Sequence, residues 1–269
     1  MRSTLKAVLV LAISGVLPAC TTTTVTRTGG DVSTTTQSAV PKPAEARSRA
    51  QARVNLASGY FRNGQMSVAL EEAKRAVQID PTFAEAYGLL GLIYMQLDER
   101  REAEANFTRA LQIDPSSPDL NNNYGWFLCQ QPGREREAVS YFQRALRDPL
   151  YATPGLASLS AGVCLMRAKD YAAAEPYLRR SLELDAANAT TKYELARLYL
   201  ATGQTDRAAF YYGLLSKSTE ASAATLWLGL KVARAQGDLR TETVLAAELR
   251  TRFPGSNEAS LLARGAFDE

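Results

Sequence analysis

The feature that most constrains the fold is a repeat of 34 residues. Pro81 and Pro115 lie 34 positions apart, and the residues before them match position by position. Upstream of Pro115 the matched residues are Tyr87, Leu90, Gly91, Tyr94, Ala103, Phe107 and Ala110. At the same offsets upstream of Pro81 they are Arg53, Leu56, Ala57, Tyr60, Ala69, Ala73 and Ala76. A fixed period of this length is typical of helix-turn-helix solenoids.

The residue types at the matched positions resemble those of tetratricopeptide (TPR) repeats. Small residues stand where two helices cross closely, and large residues stand where the helices interlock. Six copies can be followed, near residues 50–83, 84–117, 118–151, 155–188, 189–222 and 224–257. The last copy is degenerate, which is expected of an end repeat. The resemblance implies an all-α fold, a right-handed α-solenoid of about six repeats over residues 46–269.

Two glycines inside the predicted helices need a reason, because glycine in a helix costs about 1 kcal/mol relative to alanine. Gly59 and Gly88 both fall in the middle of the first helix of a copy. We expect close approach of a neighbouring helix to explain both, in preference to a hinge.

The N-terminus resembles an export signal. Arg2 and Lys6 precede an apolar stretch at residues 7–17, which is too short to span a bilayer. Residues 17–20 read Leu-Pro-Ala-Cys and resemble the lipobox of bacterial lipoproteins, although Pro18 is not the usual small residue. We therefore predict a lipoprotein signal peptide over residues 1–19 and lipidation of Cys20. The alternative is an ordinary signal peptide with an incidental cysteine.

The segment after this cysteine is rich in threonine and serine and also carries Gly29, Gly30, Pro41 and Pro43. It contains too little apolar surface to fold alone. We therefore expect residues 20–45 to form a disordered tether. Two or more acyl chains on Cys20 would make membrane attachment stable. The residue after Cys20 is Thr21. An aspartate at this position would suggest retention in the inner membrane, so we expect the outer membrane instead.

Composition and charge argue against several function classes. Hydrophobic residues make up 46% of the 269 residues and charged residues 22%, as in soluble, well-packed proteins. Without Arg2 and Lys6 the 31 basic residues fall to 29, against 28 acidic ones, and no basic block points to nucleic acid. The chain has no histidine, and no phosphate-binding loop or nucleophile motif is present. We predict no enzyme activity, no cofactor, no metal and no small-molecule substrate.

In TPR geometry the second, fifth, ninth and twelfth positions of each first helix face a concave groove. The predicted partner-binding residues at these positions are Val54, Phe61, Leu92, Met95, Asn122, Trp126, Leu159, Val163 and Met166. Leu156 shares this face, and the fifth copy is mixed, with Tyr193, Arg197 and Leu200. A groove with this many apolar side chains usually marks an interaction site. The alternative is that some of these side chains pack under the next repeat as core.

Two cysteines fall on successive first helices. In an exported protein Cys129 and Cys164 could form a disulfide. They could equally be two small buried residues, since free cysteine is often buried. The sequence leaves both possibilities open.

Three short strings resemble the type IV pilus biogenesis/stability lipoprotein family, known as PilF or PilW. They are Asn-Asn-Tyr-Gly-Trp-Phe-Leu at residues 122–128, Asp-Pro-Leu-Tyr at 148–151 and Arg-Phe-Pro-Gly-Ser at 252–256. The resemblance implies a pilotin on the periplasmic face of a Gram-negative outer membrane. Such a protein binds subunits of the pilus secretin and promotes their localisation and multimerisation. The alternative is a periplasmic TPR adaptor that scaffolds cell-wall enzymes or another envelope complex.

Overall fold

The computed structural model describes residues 21–25, 34–38 and 43–267, in two compact units, Met1–Ser48 and Arg49–Glu269. The predicted signal peptide (residues 1–19) and Cys20 lie outside the described residues. In the first unit, strand β1 (Thr21–Val25) pairs antiparallel with β2 (Thr34–Ser38). This corrects the expectation of a tether without regular structure, because threonine and valine favour extended strands.

Thirteen helices occupy residues 43–267, and the first twelve form six consecutive pairs. The pairs are α1 (Pro43–Arg62) with α2 (Met66–Ile79), α3 (Ala84–Gln96) with α4 (Arg100–Ile113), α5 (Pro118–Cys129) with α6 (Glu135–Ala145), α7 (Pro154–Arg167) with α8 (Tyr171–Leu184), α9 (Ala189–Ala201) with α10 (Thr205–Ser216), and α11 (Ala223–Gln236) with α12 (Leu239–Arg252). Helix α13 (Asn257–Arg264) follows. The predicted helical solenoid is confirmed. Within the described residues, no helix combines the length and apolar character needed to cross a membrane.

Small residues let the two helices of a repeat approach closely. A Cβ atom on Gly91 of α3 would lie 2.7 Å from the ring of Phe107, which is fully buried on α4. The same relation holds in the next two repeats, between Gly125 and Phe142 and between Gly162 and Leu178. In each pair a glycine on the first helix faces one large side chain on the second helix. This tight packing sets the distance between the two helices, and it also explains why small and large residues recur at fixed positions in the sequence.

The two helices of each repeat lie in different layers. The first helices contact one another in sequence, from α3 through α5, α7 and α9 to α11. Each second helix packs against the first helix of the next repeat. Consecutive second helices lie further apart and meet through long side chains, as Gln143 of α6 does with Tyr177 of α8 at 2.9 Å and Arg207 of α10 with Glu175 of α8 at 3.7 Å. The first helices therefore form an inner layer with one continuous face.

Helix α13 closes the last repeat. It packs against α11 and α12 and adds Leu261 and Leu262 to the buried cluster of that repeat. Beyond it, the ring of Phe267 stacks on Trp227 with the ring centres 5.2 Å apart. The guanidinium of Arg234 lies 4.1 Å from the centre of the Phe267 ring. The apolar end of the stack is thus covered.

Candidate protein-binding surface

The inner layer presents a row of side chains that are half-buried or exposed. We name it the first-helix patch and define it by two residues from each of four consecutive repeats. They are Leu92 and Met95 from α3, Trp126 with Gln130 directly after α5, Val163 and Arg167 from α7, and Tyr193 and Arg197 from α9. Because adjacent first helices are in contact, the row crosses four repeats without interruption.

Direct contacts link the patch across repeats 2, 3 and 4. The Nε2 atom of Gln130 donates to Met95 Sδ at 3.4 Å and to the carbonyl oxygen of Trp126 at 3.5 Å. The guanidinium of Arg167 lies 5.4 Å from the centre of the Trp126 ring. A cation over an indole face is held by the ring quadrupole. The aromatic ring and the charge are therefore positioned before any partner arrives.

A buried carboxylate organises the other end of the patch. Glu194 is only 7% exposed and accepts a hydrogen bond from Arg197 at 2.9 Å. Burial raises the pKa of Glu194, while the charges of Arg197 and Arg167 oppose that rise. Arg197 also lies 5.8 Å from the centre of the Tyr193 ring, and burial raises the pKa of this tyrosine. Aromatic and basic groups thus alternate along the surface, which suits an extended polypeptide with apolar and acidic side chains.

The structure corrects part of the groove prediction. Five of the nine predicted residues are half-buried at the surface of the solenoid: Phe61, Leu92, Met95, Trp126 and Val163. The other four are buried, and for these the prediction is wrong: Val54, Asn122, Leu159 and Met166. Neighbouring first helices lie so close that they cover side chains directed between them. Leu159 and Met166, for example, pack in the same cluster as Leu195 and Leu198.

Two patch residues were missed by the sequence analysis. Gln130 and Arg167 each lie one position after the twelfth, which is the last of the four helix positions used to predict the groove. Each follows a predicted groove residue, Trp126 or Val163, by four positions. Residues four apart share a helix face, so this spacing could have identified them.

A disulfide lies directly behind the patch. Cys129 at the end of α5 is bonded to Cys164 of α7, with the Cα atoms 5.6 Å apart. Both cysteines are buried in the cluster against which Leu92, Met95 and Trp126 pack. Of the two possibilities that the sequence left open, the structure contains the bridged one. The bond ties repeats 3 and 4 together beneath the candidate surface.

The paired helices and the apolar inner face define a TPR protein that binds other proteins. Sequence comparison matches the tetratricopeptide repeat family at residues 84–117, 133–189 and 165–228. The fold is similar to a crystal structure of PilW, described as a widely conserved type IV pilus biogenesis factor. Identity is 33% and the TM-score is 0.76, over 80% of this chain and 98% of that one.

A second relative agrees with the first. The solved structure of PilF from Pseudomonas aeruginosa has a TM-score of 0.73 at 28% identity, over 83% of this chain and 99% of that one. In sequence, the type IV pilus assembly protein PilF of that organism is 28% identical over 207 residues, or 77% of this chain and 82% of the relative. The chain belongs to the PilF/PilW family of type IV pilus biogenesis TPR proteins.

Proposed function

We propose that the protein is a pilotin of the type IV pilus, anchored by lipid to the periplasmic face of the outer membrane. Its first-helix patch binds subunits of the pilus secretin and promotes their localisation and multimerisation. Family membership and the lipobox-like residues 17–20 support this proposal. The observation that carries the binding role is the contact between Trp126, Gln130 and Met95, with Arg167 over the indole.

The patch has the chemistry of a strong interface. Aromatic and arginine side chains commonly provide most of the binding energy of a protein interface. Trp126 and Arg167 combine both types at one point, and the disulfide behind them limits the freedom of the supporting helices. A surface that is ordered beforehand loses less entropy on binding.

The test is to replace Trp126 with alanine, and separately Arg167 with alanine, in the full-length chain. Truncation of an anchor side chain typically costs more than 2 kcal/mol of binding, or about thirtyfold in affinity. We expect detergent-resistant secretin multimers to be strongly reduced in cells that carry either variant. Circular dichroism should show unchanged helix content, because the buried contacts between helices remain.

The matched control is Phe210→Ala. Phe210 is also aromatic and is 60% exposed, but it lies on α10, a second helix, away from the patch. This variant should assemble secretin normally. Wild-type secretin multimers in stable Trp126→Ala and Arg167→Ala variants would contradict the proposal. If deletion of the whole protein left secretin assembly intact, the periplasmic adaptor for cell-wall enzymes or another envelope complex would be favoured instead.

A further inference from the structure

The outer face of helix α10 carries apolar residues where the second helices before it carry arginine. These helices are aligned by a fully buried alanine: Ala69, Ala103, Ala138, Ala174 and, in α10, Ala208. Six residues after the alanine, the four earlier helices have an exposed arginine: Arg75, Arg109, Arg144 and Arg180. In α10 this position is Leu214, which is exposed, and Phe210 lies one turn before it and is 60% exposed. In this repeat, apolar side chains thus replace the charge that keeps the outer layer in contact with water.

Five residues share this side of the helix, which we name the α10 face: Asp206, Phe210, Gly213, Leu214 and Lys217. With 3.6 residues per turn they fall within about 100° of arc, opposite the buried Ala208 and Leu215. The Phe210 ring meets the edge of the Tyr211 ring, with the ring centres 5.1 Å apart. Tyr211 in turn stacks on Tyr199, which is buried. The exposed ring is therefore held in position by its own repeat.

Gly213 lies in the middle of the α10 face and is not required by contacts within the chain. A Cβ atom at this position would have no neighbour within 4 Å among the described residues. Glycine inside a helix lowers its stability relative to alanine. It also leaves the backbone open to close approach by another molecule. Gly213 thus forms a shallow hollow on the helix, three residues after the Phe210 ring.

The two ends of the α10 face carry opposite charges. Asp206 lies in the first turn of α10, and Lys217 follows its last residue with a helical backbone conformation. Neither side chain forms an ion pair within residues 43–267. A helix face with an acid at one end, a base at the other and apolar residues between them is complementary to itself when two copies run antiparallel. The charge pattern therefore favours a second copy of this chain over a partner of a single charge.

We propose that the α10 face binds the same face of a second copy and forms a symmetric dimer. The two α10 helices run antiparallel about a twofold axis between residues 211 and 212. Asp206 then pairs with Lys217 of the second copy, and the Phe210 ring packs into the hollow at Gly213 of the second copy. The same two contacts recur on the other side of the axis. Such an interface closes on itself, so association stops at two copies.

The contact is small. Helix α10 has 12 residues and is about 18 Å long, so one pair of these helices buries less than the roughly 800 Å² per partner of a standard interface. We therefore expect a weak dimer, for which covalent capture is the suitable measurement. Because α10 lies in the outer layer and the first-helix patch in the inner one, the dimer does not depend on the proposed function.

The experiment places a photoactivatable phenylalanine at position 210 of the full-length chain. We expect illumination of cells to produce a covalent dimer, with the cross-link at residues 213–214 of the second copy. Asp206→Lys and Lys217→Asp should each reduce the dimer yield roughly tenfold, because like charges then meet at both ends of the contact. The matched control is Arg250→Asp, at an exposed arginine in the last turn of α12, which should leave the yield unchanged.

Combining the two charge reversals separates a second copy from any other partner. The double variant in one chain should restore the dimer, and so should co-expression of the two single variants, because opposite charges meet again in both cases. Both reversals are unfavourable for the dipole of α10 itself, so a restored dimer cannot come from a more stable helix.

Gly213→Gln tests the hollow. It should raise the melting temperature, because glutamine favours a helix more than glycine does, and should still reduce the dimer yield roughly tenfold. The absence of a covalent dimer, or an adduct with a different protein, would overturn the proposal. So would a double variant that does not restore the yield, an equal loss in Arg250→Asp, or a wild-type yield in Gly213→Gln.

Discussion

Glycines inside the helices differ in whether a side chain would fit in their place. A Cβ atom on Gly91 would meet three atoms of the Phe107 ring at 2.7–2.8 Å. A Cβ atom on Gly59 would have no neighbour within 4 Å. Both glycines lie inside first helices, α3 and α1. The same substitution should therefore change stability in opposite directions at these two positions.

We predict that Gly59→Ala stabilises the fold and Gly91→Ala destabilises it. At Gly59, removal of the helix penalty should add about 1 kcal/mol to the free energy of unfolding. At Gly91, overpacking of about 3 kcal/mol exceeds that gain and leaves a net loss of about 2 kcal/mol. Urea unfolding followed by circular dichroism measures both. A similar change in both variants would show that Phe107 moves aside without cost.

The sequence analysis expected a close neighbour at both Gly59 and Gly88, and the structure confirms only one. A Cβ atom on Gly88 would lie 2.3 Å from the Leu120 side chain, in the first helix of the next repeat. No neighbour fills the space at Gly59, so that expectation is wrong. Spacing within a repeat predicts which residues share a helix face. It does not show whether another helix covers that face.

The disulfide acts on two whole helices, because it joins the end of α5 to the last turn of α7. We predict that replacing Cys129 and Cys164 together by alanine lowers the free energy of unfolding by about 2–4 kcal/mol. Thermal unfolding with and without reductant measures the effect. Reductant should lower the melting temperature of the wild type and leave the double variant unchanged. A wild type that does not respond to reductant would contradict this prediction.

The helical pairs could be predicted from the sequence because they arise from contacts within one repeat. The binding surface could not, because it depends on distances between successive repeats. Pairs such as Gly125 and Phe142 lie within one repeat, so a fixed spacing reveals them. Burial of Asn122 and exposure of Arg167 depend on how closely successive first helices lie. The pairing of β1 with β2 was also missed, since the threonine-rich composition was interpreted only as low apolar content.

For the molecule as a whole, we predict that the lipid anchor and the folded solenoid are independent. Cys20→Ser should abolish incorporation of labelled fatty acid and move the protein to the soluble periplasmic fraction. The melting temperature should stay unchanged, because the buried clusters of the described part of the chain are formed by residues 50–262. Fatty acid incorporation in the variant would exclude Cys20 as the modified residue. A soluble wild-type protein would contradict lipidation altogether.

The closing helix has a consequence for how such molecules behave when crowded together. Without α13 and Phe267, the apolar side of α11 would resemble the face that every internal repeat offers to its successor. A second molecule could then dock there in place of the next repeat, and repeated docking would produce fibres. The stacked Trp227 and Phe267 rings occupy that position within the same chain. We therefore expect helix α13 to oppose end-to-end polymerisation of the protein.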